Sequence, residues 1–518
     1  MGRFAPPYYI LAVVVLAFGG IPKGYDEGGF SASVTLPAFK ADYGLNKNLW
    51  VGNATGLANR TANISSFGVL GAAFGALIAY FLNDKIGRLW SYRLAILVWG
   101  SGILMQVFSS GIFGFLLFAR IWGGLGAGGL TVISPLFLSE IAPTKTRGMI
   151  VSMYMVVLLS VLSLGFFVNY GVSKHMAQSR TQWQLVQAIP LIPVGVAFFA
   201  SWLIPESPRW LASKNRDSDC LSALSRLRGL SPDDTALVAE FERTKLEADA
   251  LVQMGSISML ETAKECFTES NLRSRFFLAV MLHTVAQWTG GNGITYYISD
   301  IFQYAGIHGS ETSLITSGAY GLVKLFITMI FAWGLIDKLG RRRCMLAGLT
   351  LQGITHIYMA IYFGAIGQGN KSASDAAIAS VFIYATGWSI GLCTIPYIYG
   401  TEIFPTKARS FAYATTMCLH WFFQFAVVRV TPVMLAALDK WGAYVFWTTI
   451  CASGIVILGL WAPETKGVPL ERMHELFDRP WYKCWNAKLD YRDDSDSAYV
   501  EKLGEKDVAE QRQREVAS

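Results

Sequence analysis

The chain alternates long apolar runs with short polar ones. Stretches such as 191–203, 276–282, 381–398 and 446–462 carry almost no charge, and 191–203 and 381–398 extend with neutral residues to roughly 20 positions. A hydrocarbon core about 30 Å thick is crossed by about 20 helical residues rising roughly 1.5 Å each. Twelve such segments are predicted, at 10–34, 62–82, 94–110, 114–136, 149–171, 185–204, 276–303, 313–336, 345–366, 377–399, 411–434 and 444–462. The first run continues through residues 19–35 without a small-residue cleavage site, so it reads as a retained helix and not as a signal peptide. Between the sixth and seventh segments, 206–275 is polar. Its alternation of charged and apolar positions over 217–230 and 232–252 predicts short amphipathic helices on the membrane surface. The tail from Glu464 is charged and is expected to pack little.

Composition agrees with spans. Of 518 residues only 15% are charged, against about 25% in an average soluble chain. A disordered chain is excluded by the 53% hydrophobic content, and a soluble enzyme by the spans. The fifty glycines suit closely packed membrane helices. The four short loops around 84–93, 145–147, 337–343 and 407–409 hold about eleven basic residues against about four in the opposite loops, which places both termini in the cytoplasm. Sequons at Asn53, Asn59, Asn63 and Asn370 all fall in predicted exterior loops and favour a eukaryotic secretory-pathway membrane protein. The cysteines avoid those loops, so no extracellular disulfide is expected. The net charge of +7 is loop bias and not a nucleic-acid signal.

An internal duplication organises the chain. Asp84-Lys85-Ile86-Gly87-Arg88 returns as Asp337-Lys338-Leu339-Gly340-Arg341, the segment Glu140 to Arg147 as Glu402 to Arg409, and Pro205-Glu206-Ser207 as Pro463-Glu464-Thr465, at offsets of 253, 262 and 258 residues. Three motifs repeated in order imply two six-helix halves. The predicted organisation is therefore an all-α membrane protein: a half at 1–204, a cytoplasmic linker at 205–275, a second half at 276–462 and a tail at 463–518.

These motifs, with Gly24-Tyr25-Asp26, Arg120 and the glycines after it, Pro205 to Trp210, and Gln287 through Asn292 to Tyr297, resemble the sugar porter family of the major facilitator superfamily. The resemblance implies the major facilitator fold and transport by alternating access. It also implies a cytoplasmic gate of ion pairs formed across the halves by Asp84, Arg88, Glu140, Arg147, Glu206, Arg209, Asp337, Arg341, Glu402 and Arg409. Charges that only set topology are the rival reading, but the repeated seven-residue spacing from Glu to Arg is hard to explain that way. In proton-coupled members the residue matching Asp26 is protonated and that matching Arg120 is its partner, so Asp26 is expected to couple transport to protons, against a purely structural ion pair.

An ionisable side chain at the bilayer centre costs about 2.5–3.5 kcal/mol and needs a partner or a cavity. Lys324, thirteen residues before Asp337, lies roughly 20 Å up its helix, and His420, eleven after Arg409, lies at roughly 16 Å. Arg429, at roughly 30 Å, reaches the far interface, where snorkelling suffices. Lys23 and Glu27 share one helix face and either neutralise each other or touch substrate. With His420 neutral, Lys23, Asp26, Glu27, Arg120 and Lys324 sum to one surplus cation. Against the family's neutral-hexose pattern, Met155, Ala286 and Tyr397 stand where Gln, Gln and Trp are usual, while Gln287 and Asn292 are kept. The pattern has lost amides and gained Lys324 and His420, which suits a carboxylated polyol. Tyr25, Tyr296, Tyr297, Trp288, Trp388 and Trp421 could form ring walls, Tyr297 and Trp421 foremost; simple packing is the alternative.

The finer resemblance, carried by Gln287 to Gly290, Tyr320 to Lys324 and His420 to Phe425, is to the fungal branch with galacturonic acid and quinate transporters. The expected activity is therefore proton symport of a sugar acid, D-galacturonate first, then quinate, then a neutral pentose or hexose. The predicted substrate-binding set is Gln287, Asn292, Tyr297, Lys324, Tyr397, His420 and Trp421. No cofactor or metal is expected, no nucleophile and base stand together for an enzyme, and a monomer is expected. A nutrient receptor is the rival from another class, and the short tail without repeats counts against it.

Overall fold

A computed structural model describes residues 6–143, 146–254, 259–466, 468 and 470–487. They form helices and connecting turns, and no strand occurs among them. Six helical segments build the first half: α1 (Pro7–Ser33), α2 (Ala54–Ile86), α3 (Arg88–Val107), α4 (Phe113–Ile141), α5 (Arg147–His175) and α6 (Arg180–Leu203). Four linker helices follow: α7 (Pro208–Ser213), α8 (Asp217–Arg228), α9 (Thr235–Met254) and α10 (Met259–Thr268). The second half repeats the pattern with α11 (Ser270–Trp288, continued by Gly291–Tyr296 and Ile298–Tyr304), α12 (Ser310–Leu335), α13 (Arg341–Ile366), α14 (Lys371–Gly400), α15 (Thr406–Ala437) and α16 (Trp441–Trp461).

Ten of these twelve are long and apolar enough to cross a membrane on length and composition alone. The other two have evident reasons. Helix α3 starts on Arg88 and buries Arg93 against the Ser201 carbonyl, and α11 is cut at Gly290, whose φ of 92° is a left-handed conformation that favours glycine.

Three spanning segments are interrupted where the halves face each other. Helix α1 tightens to 3₁₀ at Phe18–Gly20 and widens to π at Asp26–Phe30. Helix α11 breaks after Trp288, and α14 after Gly391, just before Pro396. Such breaks turn side chains and backbone groups toward a central space. Close approach of the helices depends on missing side chains: a Cβ at Gly28 would lie 1.9 Å from the Leu162 carbonyl oxygen, so α1 and α5 touch backbone to backbone.

The duplicated motifs fold into duplicated caps. In the first half Glu206 accepts from the backbone N–H of Arg88 and Leu89, while the Arg88 guanidinium bonds Glu140 at 3.0 Å and Asp84 at 3.0 Å. In the second half Glu464 accepts from the N–H of Arg341 and Arg342, and Arg341 bonds Glu402 at 3.2 Å. Ser207 donates to Glu140 as Thr465 donates to Glu402. Glu206 and Glu464 each sit at a helix N-terminus, where unpaired N–H groups and the helix dipole favour a carboxylate. Burial pushes the Glu206 carboxyl up, opposed by the N–H bonds from Ser207 and Leu89.

Three expectations change. Helix α2 starts at Ala54 because Asn53 caps it, accepting from the Gly56 N–H at 2.8 Å. Asn59 and Asn63 therefore lie within a helix and not in a loop; Asn59 accepts from Arg429 of α15 at 3.0 Å. Asn370, like Asn53, is an exposed helix cap. The segment after α16 also packs more than its charge suggested: Met473, Leu476 and Phe477 are buried against α11, and Asn271 donates to Asp478 at 2.7 Å. The rest of the predicted tail, 488–518, lies outside the described residues.

Candidate functional site

Two adjoining cavities occupy the space between the halves, near the middle of the spans. The first, ≈ 580 Å³ including its open mouth, is lined by Asp26, Arg120, Gln187, Tyr296 and Trp421 among others. The second, ≈ 450 Å³, is lined by Glu27, Met155, Gln287, Asn292, Lys324, Trp388, Tyr397 and His420. Lys23 borders both.

The first cavity is built around an ion pair. Asp26, at the start of the π segment of α1, bonds the Arg120 guanidinium of α4. Arg120 also donates to the Ile64 carbonyl at 3.0 Å and the Ser65 carbonyl at 3.2 Å, and stacks over Phe30 with 3.8 Å to the ring centre. The fit needs Gly68, since a Cβ there would fall 2.4 Å from the guanidinium. Asp26 keeps one oxygen for the other half: the Tyr296 hydroxyl of α11 donates to it at 2.6 Å. The carboxylate is thus held by a cation of its own half and a hydroxyl of the opposite one. Its side chain is 20% exposed and lines the cavity.

Lys23 joins the two spaces. Its ammonium pairs with Glu27 at 2.9 Å, donates to Gln424 of α15 at 3.2 Å and lies 4.1 Å over the Trp421 ring. Mutual neutralisation of Lys23 and Glu27 is therefore realised, and both still line the second cavity.

In that cavity Lys324 is 1% exposed. Its ammonium donates to Thr295 at 3.1 Å and lies 4.1 Å from the centre of the Trp388 ring, and it has no ion-pair partner among the described residues. Glu27 acts on it only through space. His420 faces Gln287 at 3.2 Å and the Tyr397 hydroxyl at 3.1 Å, and Asn292 donates to Gln287 at 3.4 Å. One wall is therefore rich in donors: an ammonium, two amides, a hydroxyl and an imidazole. Such a wall can hold a carboxylate and several hydroxyl oxygens at once.

The whole-chain comparisons bear on this geometry. A family model described as "Sugar (and other) transporter" matches residues 12–477. The chain belongs to this family of transporters. A probable quinate permease of Neosartorya fischeri is 30% identical over 493 residues, covering 93% of this chain and 89% of that protein. The quinate permease of Neurospora terricola is 29% identical over 480 residues, 90% and 88% of the two chains. The proton:xylose symporter XylE bound to 6-bromo-6-deoxy-D-glucose superposes with a TM-score of 0.73 at 21% identity, covering 91% of this chain and 99% of XylE. Its inward-open form gives 0.73 at 19%, covering 90% and 99%. These structures establish the major facilitator fold.

Within this sugar-transporter frame, Gln287, Asn292, Lys324, Tyr397 and His420 meet in the second cavity. Trp421 lines the first, and Tyr297 lines neither; its buried hydroxyl donates to the Val428 carbonyl at 3.2 Å. Trp288 packs on Phe446, and the Tyr25 hydroxyl bonds the Val186 carbonyl. Arg429 lines neither cavity and clamps Asn59. Of the ten gate residues, Asp84, Arg88, Glu140, Arg341 and Glu402 form the pairs given above, each joining residues of one half. Glu206 caps α3, Arg147 opens α5 and Arg209 lies in α7. The side chains of Asp337 and Arg409 lie outside the described residues. Sequence reasoning missed His283, which stands 3.0 Å from His420, and the reach of Tyr296 to Asp26. A histidine in an otherwise apolar stretch of α11 was the available signal for the first.

Proposed function

We propose that the protein is a plasma-membrane proton symporter for a carboxylated polyol, D-galacturonate first, with both termini cytoplasmic and the halves 1–204 and 276–462 rocking about the two cavities. The observation that carries this reading is Lys324: a buried ammonium without a carboxylate partner among the described residues, in a donor-rich cavity. A substrate carboxylate supplies the missing charge. Gln287, Asn292 and Tyr397 then orient ring hydroxyls, and Trp388 forms a wall.

Proton coupling follows from Asp26. As a carboxylate it binds Arg120 and Tyr296 together and so ties the two halves. Protonation removes the charge that both donors favour, weakening the bond to Tyr296 and freeing the halves to move. The cytoplasmic gate of the duplicated motifs would open and close as those clusters part and meet.

Quinate is the second reading, favoured by the names of relatives at 29–30% identity. It satisfies the same charge logic. Uptake of labelled galacturonate by a transporter-null yeast, competed with quinate, xylose and glucose at two pH values, tests both. Acids should compete and neutral sugars should not, with uptake greater at the lower pH. Competition by glucose but not by either acid would overturn the reading, and absent uptake with sugar-dependent signalling would point to a receptor.

A further inference from the structure

His283 of α11 and His420 of α15 are both buried, with their Nδ1 atoms 3.0 Å apart. Two ring nitrogens at that distance hold one proton between them. One neutral ring donates its Nδ1–H and keeps a bare Nε2; the other accepts and carries its proton on Nε2. The two arrangements are not equivalent here. His283 Nε2 is buried with no hydrogen-bond partner among the described residues. A proton there would be a donor stranded without an acceptor, whereas an unshared lone pair is tolerated better.

His420 Nε2 faces the second cavity, 3.1 Å from the Tyr397 hydroxyl and 3.2 Å from the Gln287 amide. Both neighbours adapt to either arrangement: the hydroxyl rotates, and the Gln287 amide, whose nitrogen lies at Nε2 and whose oxygen accepts from Asn292, exchanges its N and O ends by a half-turn that the Asn292 amide follows. The balance therefore places the shared proton on His283 and the outward proton on His420. Charged and titratable groups facing the pair are Lys23 and Glu27 from α1, Tyr397 from α14 and Lys324 from α12.

We propose that His283 is a positioning residue that sets substrate specificity: its Nδ1–H holds His420 in the tautomer that aims Nε2–H into the cavity shared with Lys324. The cavity then offers a carboxylated ring donors from both an ammonium and an imidazole. With the tautomer reversed, His420 would present a lone pair, which repels a carboxylate oxygen and accepts from a neutral hydroxyl. The inference rests on the carboxylated-polyol reading above.

Three variants separate this role from simple packing. His283→Asn keeps an N–H donor close to the Nδ1 position, His283→Leu removes it, and His283→Asp offers only acceptors and draws the His420 proton inward. Binding of labelled galacturonate to the purified full-length transporter gives the readout, with thermal unfolding confirming that each variant is folded. The Asn variant should stay within about threefold of the wild-type Kd. The Leu and Asp variants should weaken binding about 10- to 100-fold, the loss of a hydrogen bond to a charged group. Equal losses in the Asn and Leu variants would overturn the proposal. If the Asp variant does not fold, the Asn–Leu contrast decides. Should the wild type bind neutral sugars and no acid, the substrate reading fails by itself, and the same contrast read on labelled xylose still tests the tautomer: equal Kd values in the Asn and Leu variants refute it.

Discussion

Lys324→Met separates the anion reading from its rivals, because the structure predicts opposite behaviour for stability and for affinity. The ammonium sits near the middle of α12, where a lysine costs about 2.5–3.5 kcal/mol on insertion scales. Its bond to Thr295 and its place over Trp388 offset that cost, by about 1.5–3 kcal/mol for a charged hydrogen bond and about 0.5–2 for the cation–π contact. The two sides nearly cancel. Methionine, of similar length and without charge, should therefore leave the unfolding temperature of the empty protein within a few degrees of wild type, equivalent to about 1 kcal/mol. Substrate affinity has no such cancellation. Losing a charge-assisted bond of about 1.5–3 kcal/mol raises Kd for the acid roughly 10- to 150-fold. Thermal unfolding of the detergent-purified protein reads both effects: galacturonate at 100 times the wild-type Kd should stabilise wild type by about 2.7 kcal/mol and the variant by only about 0.3–1.4 kcal/mol. Galacturonate stabilisation equal in both proteins would refute the assignment of Lys324 to a carboxylate.

Asp26→Asn should abolish accumulation driven by a pH gradient while leaving substrate exchange across proteoliposomes measurable, since the cavity around Lys324 is intact; accumulation equal to wild type would end the coupling role. Gly28→Ala should destabilise by about 1–3 kcal/mol, because the new methyl meets the immovable Leu162 carbonyl, and a variant unfolding at the wild-type temperature would show that α1 and α5 can part. Outside the spans, hydrogen bonds from Arg180 and then Trp183 hold the Asp42 carboxyl below the usual carboxylate range. Its stabilisation is complete above the ordinary carboxylate pKa and is lost as pH falls through the lowered one. Asp42→Asn should therefore cost about 0.2–1 kcal/mol near neutrality, the scale of a partly exposed pair, with the gap to wild type closing in acid; a constant gap would contradict the sign.

The fold was legible because its determinants are local along the chain. Apolar length gave the spans, and the paired motifs revealed the halves because each half repeats one glutamate that caps a helix N-terminus and an arginine there that pairs with a second glutamate. The same local reasoning located Lys324 and His420 in depth, since each helical residue adds a fixed rise. It misjudged places where a cap or a distant surface decides. Asn53 started α2 early and drew Asn59 into the helix, where it meets Arg429. Phe477 found an apolar seat beside α11 that no count of charges could reveal.

Counting along a helix gives depth but not facing, and the breaks in α1, α11 and α14 turn facing away from any regular period. Tyr297 was the natural choice for the site because it closes a family motif, yet the widened turn at Asp26 meets Tyr296, one residue earlier. The contacts of Asp26 with Tyr296 and of Lys23 with Gln424 each bridge the two halves, and His283 with His420 bridges two helices 137 positions apart. None has a local signature. The charges were nevertheless countable from sequence alone, and the structure pairs them as Lys23 with Glu27 and Asp26 with Arg120. What remains is one cation, Lys324, and its surroundings explain why it can stay: an aromatic face and a hydroxyl stabilise the ammonium without neutralising it. A carboxylate paired with it there would fill the place that the proposed anionic substrate takes. On the proposed function, the empty carrier holds a charge that an anionic substrate would complete.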